Sequence, residues 1–418
     1  MATNKTYKWL VVVMLWHVCF FNYADRQAIF SVFPRLEAEF ELTKVQLGII
    51  GWSFGLVYAL GLPVAGLVGD RLSRKTLILG GLIFWSLVTI ATAVAQEYWQ
   101  FVLFRALEGL GEAFYFPASM SLISDYHGPQ TRSRAMALHQ TSVYAGTIAG
   151  GTAAGFLAEY YGWRSGFYVF GTGGLLLGCV LWGLLREPQR GLADMLEGPS
   201  APSTPVVSRA VGAIVLLTVV FIGANFVALI FLTWLPTYLH DEFQFNLGMA
   251  GLISTMYLQI ASMIGALCGG TAGDGLSRRV RRGRMLSQAV GLFVGVPFLA
   301  MIGLTQSVPL LILCLTAFGF CKGFYDANIW AALYDEVPTK LRATTQGIMN
   351  SLGWFGGSPG SIVLAAAAGV YGMSACFSAT SLIYLGGGLI LLLGYVVLAY
   401  GSTPRRVEQT TDAITRLS

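Results

Sequence analysis

The chain has 418 residues, 55% of them hydrophobic and 11% charged, with a mean hydropathy of +0.65. Soluble domains carry about 25% charged residues, so water cannot be the solvent for most of this surface. The formal net charge of +5 does not point to a nucleic-acid partner, because the basic residues sit in short stretches between long apolar runs.

Runs of about 20 apolar residues, the length that crosses a bilayer as a helix, are predicted at 8–30, 45–68, 76–95, 99–124, 136–158, 165–186, 209–237, 247–271, 286–305, 308–334, 344–370 and 374–400. They are continuous and do not alternate, so helices and not barrel strands are expected. The fold class read from them is an all-α membrane protein with twelve transmembrane helices in two six-helix bundles. The first run is long and carries Asp25-Arg26 near its end, so no cleavable leader is expected. Of the 26 Lys and Arg residues, placing them on these spans puts 20 on one side, three on the other (Arg35, Lys44, Arg164) and three inside helices. The positive-inside rule then makes both termini cytoplasmic, and an even number of spans agrees. The expected location is a multi-pass protein of a bacterial-type inner membrane.

Two charged turns, Gly69-Asp70-Arg71-Leu72-Ser73-Arg74-Lys75 and Gly273-Asp274-Gly275-Leu276-Ser277-Arg278-Arg279, occupy the same place in each half. The repeat continues around the fourth and tenth spans, where Gly111-Glu112-Ala113-Phe114-Tyr115 matches Cys321-Lys322-Gly323-Phe324-Tyr325 at a spacing of 210 residues, and Asp125 then matches Asp335. The boundary is read as residues 1–190 for the first bundle, 191–208 for a cytoplasmic linker rich in Pro, Ser and Ala, and 209–418 for the second bundle. Two similar halves rocking about a site between them is the economical design of a transporter. Gly146, Gly150, Gly151 and Gly155 on the fifth span, and Gly353, Gly356, Gly357 and Gly360 on the eleventh, mark close-packing faces.

Charge at membrane depth is costly and asks for a reason. Asn22, Asp25 and Arg26 lie within one turn. Arg105, Glu108, Glu112, Tyr115 and Ser119 form one stripe on the fourth span, and Lys322, Tyr325 and Asp326 cluster on the tenth. These groups are expected to line a common cavity. A carboxylate in such a cavity can take and release protons, and an anion competing for its cationic partner couples binding to protonation. Asp25 and Glu112 are the candidate proton carriers. Arg26 and Lys322 are the candidate anion ligands, with Tyr115, Tyr325 and Asp326 completing a substrate-binding set. Neutral pairs that only hold helices together are the competing reading, above all for Arg105 and Glu108. His139 reads as packing, Asn225 and Gln259 as bridges between helices, and Tyr98, Trp99, Trp234 and Tyr238 as interfacial anchors. The six cysteines read as small packers within spans, not as disulfides or a metal site. The sequence has no Gly-x-x-x-x-Gly-Lys-Ser/Thr phosphate loop. No cofactor or metal is expected, and a membrane-embedded enzyme is the weaker alternative class.

The pattern resembles the major facilitator superfamily over nearly the whole chain, through Gly66, Asp70, Arg71, Arg74 and Lys75 and the second copy at Asp274, Arg278 and Arg279. The resemblance implies that these turns latch the two bundles on the cytoplasmic side, with Asp70, Arg71, Arg74, Asp125, Asp274 and Arg278 as gating residues; Gly275 stands where the first copy has Arg71. Asn22-Tyr23-Ala24-Asp25-Arg26, Arg105…Gly109-x-x-Glu112-Ala113 and Phe116-Pro117-Ala118 resemble the anion:cation symporters, which move sugar acids and other carboxylates with protons. The same first motif, with Gly111-Glu112-Ala113, Arg132-Ser133-Arg134 and Arg186-Glu187-Pro188-x-Arg190-Gly191, also resembles the spinster-like proteins associated with lysophospholipid and sphingolipid export. Both branches imply proton coupling at Asp25 and Glu112 and anion binding at Arg26. The partners implied are a small anionic substrate, protons and the bilayer, with the chain acting as a monomer.

Overall fold

The computed structural model describes residues 5–69, 72–189, 207–280, 282–337 and 342–400. The linker expected at 191–208 lies outside these residues, except that Val207 and Ser208 already begin a helix. The helices are α1 (Lys5–Ser31), α2 (Phe33–Phe40), α3 (Lys44–Gly69), α4 (Arg74–Ala93), α5 (Tyr98–Ala113), α6 (Tyr115–Tyr126), α7 (Pro129–Tyr161), α8 (Arg164–Leu184), α9 (Val207–Phe243), α10 (Leu247–Ser277), α11 (Gly283–Leu304), α12 (Val308–Glu336), α13 (Arg342–Gly357), α14 (Gly360–Tyr371) and α15 (Met373–Tyr400). Eight of them (α3, α4, α8 to α12 and α15) are long and apolar enough to cross a membrane by themselves.

The four remaining spans have visible reasons to fall short of that standard. α1 carries Lys5, Lys8, Asp25 and Arg26, and α7 carries Arg132, Arg134 and many small polar residues. The other two are each built from a broken pair. Pro117 has no N–H for the carbonyl four residues back, and α5 gives way to α6 at Phe114. Pro359 breaks the eleventh span in the same way, between α13 and α14.

The first half packs α1 on α7, α3 on α5 and α4 on α8; the second packs α10 on α12, α11 on α15 and α9 on α13. Between the halves, α7 meets α10, and α3 meets α13 and α14. On the side away from the termini the halves are closed. Lys44 Nζ lies 2.7 Å from Asp241 Oδ2, and Ser361 Oγ donates to the Gly48 carbonyl at 2.9 Å. Gly151 and Gly251 let α7 and α10 touch backbone to backbone, since a Cβ on either would overlap its neighbour.

Three expectations need correction here. The second charged stretch is not a turn at Gly273: α10 runs through Asp274 and Gly275 and ends at Ser277. It can do so because the missing side chain of Gly273 leaves room for the Asn328 amide of α12. Trp234 and Tyr238 are interior, not interfacial: Trp234 Nε1 donates to the Ser361 carbonyl at 2.9 Å, and Tyr238 packs on Phe377. Asn225 bonds within its own helix and not across to another, its Nδ2 donating to the Phe221 carbonyl at 2.9 Å, and with Gln259 it lines the central cavity described next.

Candidate functional site

Between the halves lies a cavity of about 760 Å³. Its closed end is made by Phe30, Gly51, Thr233 and Ser361, and it reaches Met120, Met136, Gln346 and Asn350 on the side of the termini. Helix periodicity decides which of the charged residues face it. Asn22 and Arg26 are four apart on α1, hence on one face, and Arg26 Nη2 donates to Asn22 Oδ1 at 3.3 Å. Arg26 lines the cavity; Asp25, one position earlier, points away into the first bundle.

Behind Arg26 stands Glu112 of α5. The guanidinium reaches Glu112 Oε2 through Nε at 3.0 Å and through Nη2 at 2.5 Å. The Arg26 side chain is 9% exposed and that of Glu112 0%, so the pair sits in a low-dielectric setting where its charge is held by geometry. Four rings surround the guanidinium carbon: Tyr23 at 4.5 Å, Phe54 at 4.7 Å, Tyr58 at 5.0 Å and Trp354 at 5.2 Å. Trp354 comes from α13 of the opposite half and packs on Tyr58 at 4.9 Å. Arg26 therefore sits where the two bundles meet.

The same buried layer contains a second pair, Arg105 Nη1 to Glu108 Oε2 at 2.5 Å, with Thr89 Oγ1 donating to Glu108 Oε1 at 3.3 Å. Several polar atoms in the layer have no hydrogen-bond partner: Arg26 Nη1, Glu112 Oε1, Arg105 Nε and Nη2, and both oxygens of Asp25. Three carboxyl groups thus share two guanidiniums. The Arg105–Glu108 pair faces the bundle interior and does not border the cavity.

Lys322, Tyr325 and Asp326 on α12 line the cavity from the second half. Lys322 Nζ lies 2.5 Å from Asp326 Oδ2, an i,i+4 pair, and Tyr144 of α7 lines the same cavity from the first half. The Tyr325 hydroxyl is buried without a partner. Gln27, Gln140, Asn225, Gln259, Gln346 and Asn350 add amides to the wall. Tyr115 stands apart from the cavity, in contrast to its expected place in the substrate set. Its hydroxyl donates to the Leu15 carbonyl at 2.7 Å and lies 2.7 Å from His139 Nε2. With the single hydroxyl proton so used, the His139 nitrogen must carry the other. The expectation that the whole fourth-span stripe lines the cavity is likewise corrected: Arg105, Glu108, Glu112 and Tyr115 turn inward against α1 and α4.

The chain matches the Major Facilitator Superfamily over residues 15–361. It is a member of that family. The Arabidopsis thaliana protein named sodium-dependent phosphate transport protein 1, chloroplastic, is 27% identical over 371 residues, 84% of this chain and 72% of that one. The Bacillus subtilis (strain 168) protein named probable galactarate/D-glucarate transporter GudP is 26% identical over 386 residues, 84% of each chain. A crystal structure of a bacterial homolog of the human lysosomal transporter Spinster, inward-facing and unoccupied, shares the fold with a TM-score of 0.81 at 21% identity, over 96% of this chain and 100% of that one.

In this major facilitator the candidate gating residues divide. Asp70 and Arg71 lie outside the described residues. Arg74 pairs with Asp125, and its backbone N–H donates to Glu187 Oε1 at 2.7 Å. In the second half the matching cation is not Arg278, which caps α10, but Arg284. Arg284 reaches Asp335 Oδ2 and Asp274 Oδ1, each at 2.6 Å. Arg74 and Asp125 become Arg284 and Asp335 on adding 210 to each number, the same spacing that relates Glu112 to Lys322. The signal was present in that spacing. The local likeness of the two charged stretches pointed six residues too early. The aromatic setting of Arg26 was also missed; Phe54 and Tyr58, four apart on α3, were its trace in the sequence.

Proposed function

We propose that this facilitator is a proton-coupled secondary active transporter of a small organic anion, a sugar acid or another carboxylate, working by alternating access. The observation that carries the reading is Arg26: a guanidinium in the cavity wall whose Nη1 is without a partner while its other donors bind a carboxylate that does not border the cavity. A substrate carboxylate that takes the Arg26 fork leaves Glu112 without its counter-charge, and a buried carboxylate in that position takes a proton instead. Asp25, whose carboxyl oxygens have no partner, is the second proton carrier. The substrate and proton sites are thereby linked without touching.

The cycle uses the two halves, residues 1–190 and 209–418, as rocking bodies joined by 191–208, and each chain holds a complete cavity and acts as a monomer. With both termini in the cytoplasm of a bacterial-type inner membrane, the cavity described above faces inward, and the Lys44–Asp241 and Gly151–Gly251 contacts form the closed outer gate. Arg74–Asp125 and Arg284–Asp335 with Asp274 flank the inner opening and serve the inner latch. The work is carriage, not catalysis.

A second reading, export of an amphipathic lipid anion, is favoured by the apolar part of the wall, which includes Phe116, Met120, Met136, Phe221, Leu229 and Trp330. Purified protein in liposomes, with lumenal pH followed on adding D-glucarate, D-glucuronate, D-gluconate or a lysophospholipid, separates the two. Acidification with a sugar acid that disappears in Glu112→Gln supports the symporter; a response to the lysophospholipid alone replaces it with the lipid carrier. Silence with every probe overturns both.

A further inference from the structure

We infer that Lys322 and Asp326 form a hydroxyl-reading subsite on the second bundle, so that the favoured anions are polyhydroxylated and not plain carboxylates. The inference rests on the reading of Arg26 as the carboxylate ligand. Lys322 is a poor second anion ligand as it stands, because Asp326 already meets its charge at 2.5 Å. The pair nevertheless keeps 19% and 35% of its side-chain surfaces exposed within the cavity. One contact uses one ammonium proton and one carboxylate oxygen. Two ammonium donors and the acceptor Oδ1 are left for a ligand. A neighbouring donor and acceptor, both charged, match the two faces of a hydroxyl group, which accepts and donates at once. They do not match a methylene, which would leave them desolvated.

The surroundings carry the same chemistry. Gln27, Gln140 and Tyr144 from the first half face Asn225, Gln259, Gln346 and Asn350 from the second, and each amide offers both a donor and an acceptor. Tyr325, next to Asp326, is 0% exposed with an unpartnered hydroxyl. Arg26 is the cavity-lining cation without a carboxylate partner inside the cavity wall, so one end of the ligand is an anion and the rest is read by neutral or self-neutralised groups.

The test is binding to the full-length purified protein, read by fluorescence of Trp330 and Trp354 in the cavity wall. D-gluconate, D-glucuronate and galactarate are compared with hexanoate and adipate, which have six carbons and no hydroxyls. The wild type is expected to bind at least one hydroxylated acid about tenfold or more tightly than its plain counterpart, the worth of a hydrogen bond to a charged group. Asp326→Asn should erase most of that preference, both by removing the hydroxyl acceptor and by freeing Lys322 to bind plain carboxylates more tightly, and Arg26→Lys should weaken all five. Equal binding of hydroxylated and plain acids by the wild type overturns the subsite, as does an unchanged preference in Asp326→Asn. Failure of the Arg26 reading looks different: no acid binds, or all bind Arg26→Lys as well as the wild type. Melting temperature is followed alongside; should Asp326→Asn fail to fold, Lys322→Gln must give the same loss of preference.

Discussion

Glu112→Gln isolates the proposed coupling step, because it keeps the side chain's volume and one acceptor oxygen while removing the charge that Arg26 meets at 2.5 and 3.0 Å. Arg26 is 7% exposed and Glu112 1%, so water cannot restore what is lost. Removing one member of a buried pair outright costs about 3–5 kcal/mol. The amide oxygen returns a hydrogen bond of about 1 kcal/mol, and the four rings still hold the cation. The expected loss of stability is therefore about 2–4 kcal/mol by that difference, visible as a lower melting temperature with the fold retained. The effect on transport is sharper. One proton carried per anion down a gradient of one pH unit supplies 1.36 kcal/mol, which is about tenfold accumulation in an electroneutral cycle. In proteoliposomes with an inward-directed gradient of that size, wild type should approach that ratio and Glu112→Gln should stop at about one. Counterflow of labelled against unlabelled anion should persist within about threefold, since the amide mimics the protonated carboxyl. Tenfold accumulation by the variant would refute the coupling role. Equal loss of accumulation and counterflow would place Glu112 in the binding site itself.

Tyr115→Phe removes a buried hydroxyl held by Leu15 and His139 at 2.7 Å; stability should fall by about 1 kcal/mol while anion affinity stays within twofold, and a tenfold loss of affinity would return Tyr115 to the substrate set. Gly251→Val puts methyl groups into the carbonyl of Gly151, and overpacking of about 1–3 kcal/mol should shift the outer-closed population by roughly 5- to 150-fold. Spin-label distances across α7 and α10 on the side away from the termini would read that shift, and unchanged distances would mean the contact is not a gate. Lys44→Gln should alter uphill transport by less than about fivefold, because its pair with Asp241 is about one-third exposed and worth under about 1 kcal/mol. Lys44→Asp combined with Asp241→Lys should restore wild-type rates, and a further loss in the double variant would show that the two sites act separately.

The spans were legible because length and hydropathy suffice for a helix that crosses a bilayer, and the breaks at Phe114 and Pro359 had their prolines in plain view. What stayed hidden was the direction of each face. A three- and four-residue spacing puts Arg105, Glu108 and Glu112 on one side of α5, but the side they share meets α1 and α4 and not the cavity. The register of the second charged cluster was hidden for a related reason. Gly273 looks like a turn residue in a one-dimensional reading, yet its role is set by the Asn328 amide, 55 positions away in no local pattern. With α10 carried past it, Arg284 and not Arg278 reaches Asp335.

The duplicated frame explains why the two halves would do different work in the proposed cycle. Glu112 and Lys322 occupy equivalent positions, as do Tyr115 and Tyr325, since 322 − 112 and 325 − 115 both equal 210. Each charged residue has found a partner, but by different routes. Lys322 is met by Asp326 one turn along its own helix, and no motion of helix against helix breaks an i,i+4 pair. Glu112 is met by Arg26 from another helix, beneath the ring of Trp354 from the other bundle. Displacement of α1 against α5, or withdrawal of α13, changes the setting of Glu112 and leaves that of Lys322 alone. A constant pair suits selection, which must read the ligand alike from both sides. Coupling needs the inconstant one, because a carboxyl partnered within its own helix would hold its proton equally in every conformation and tie nothing to the movement of the bundles.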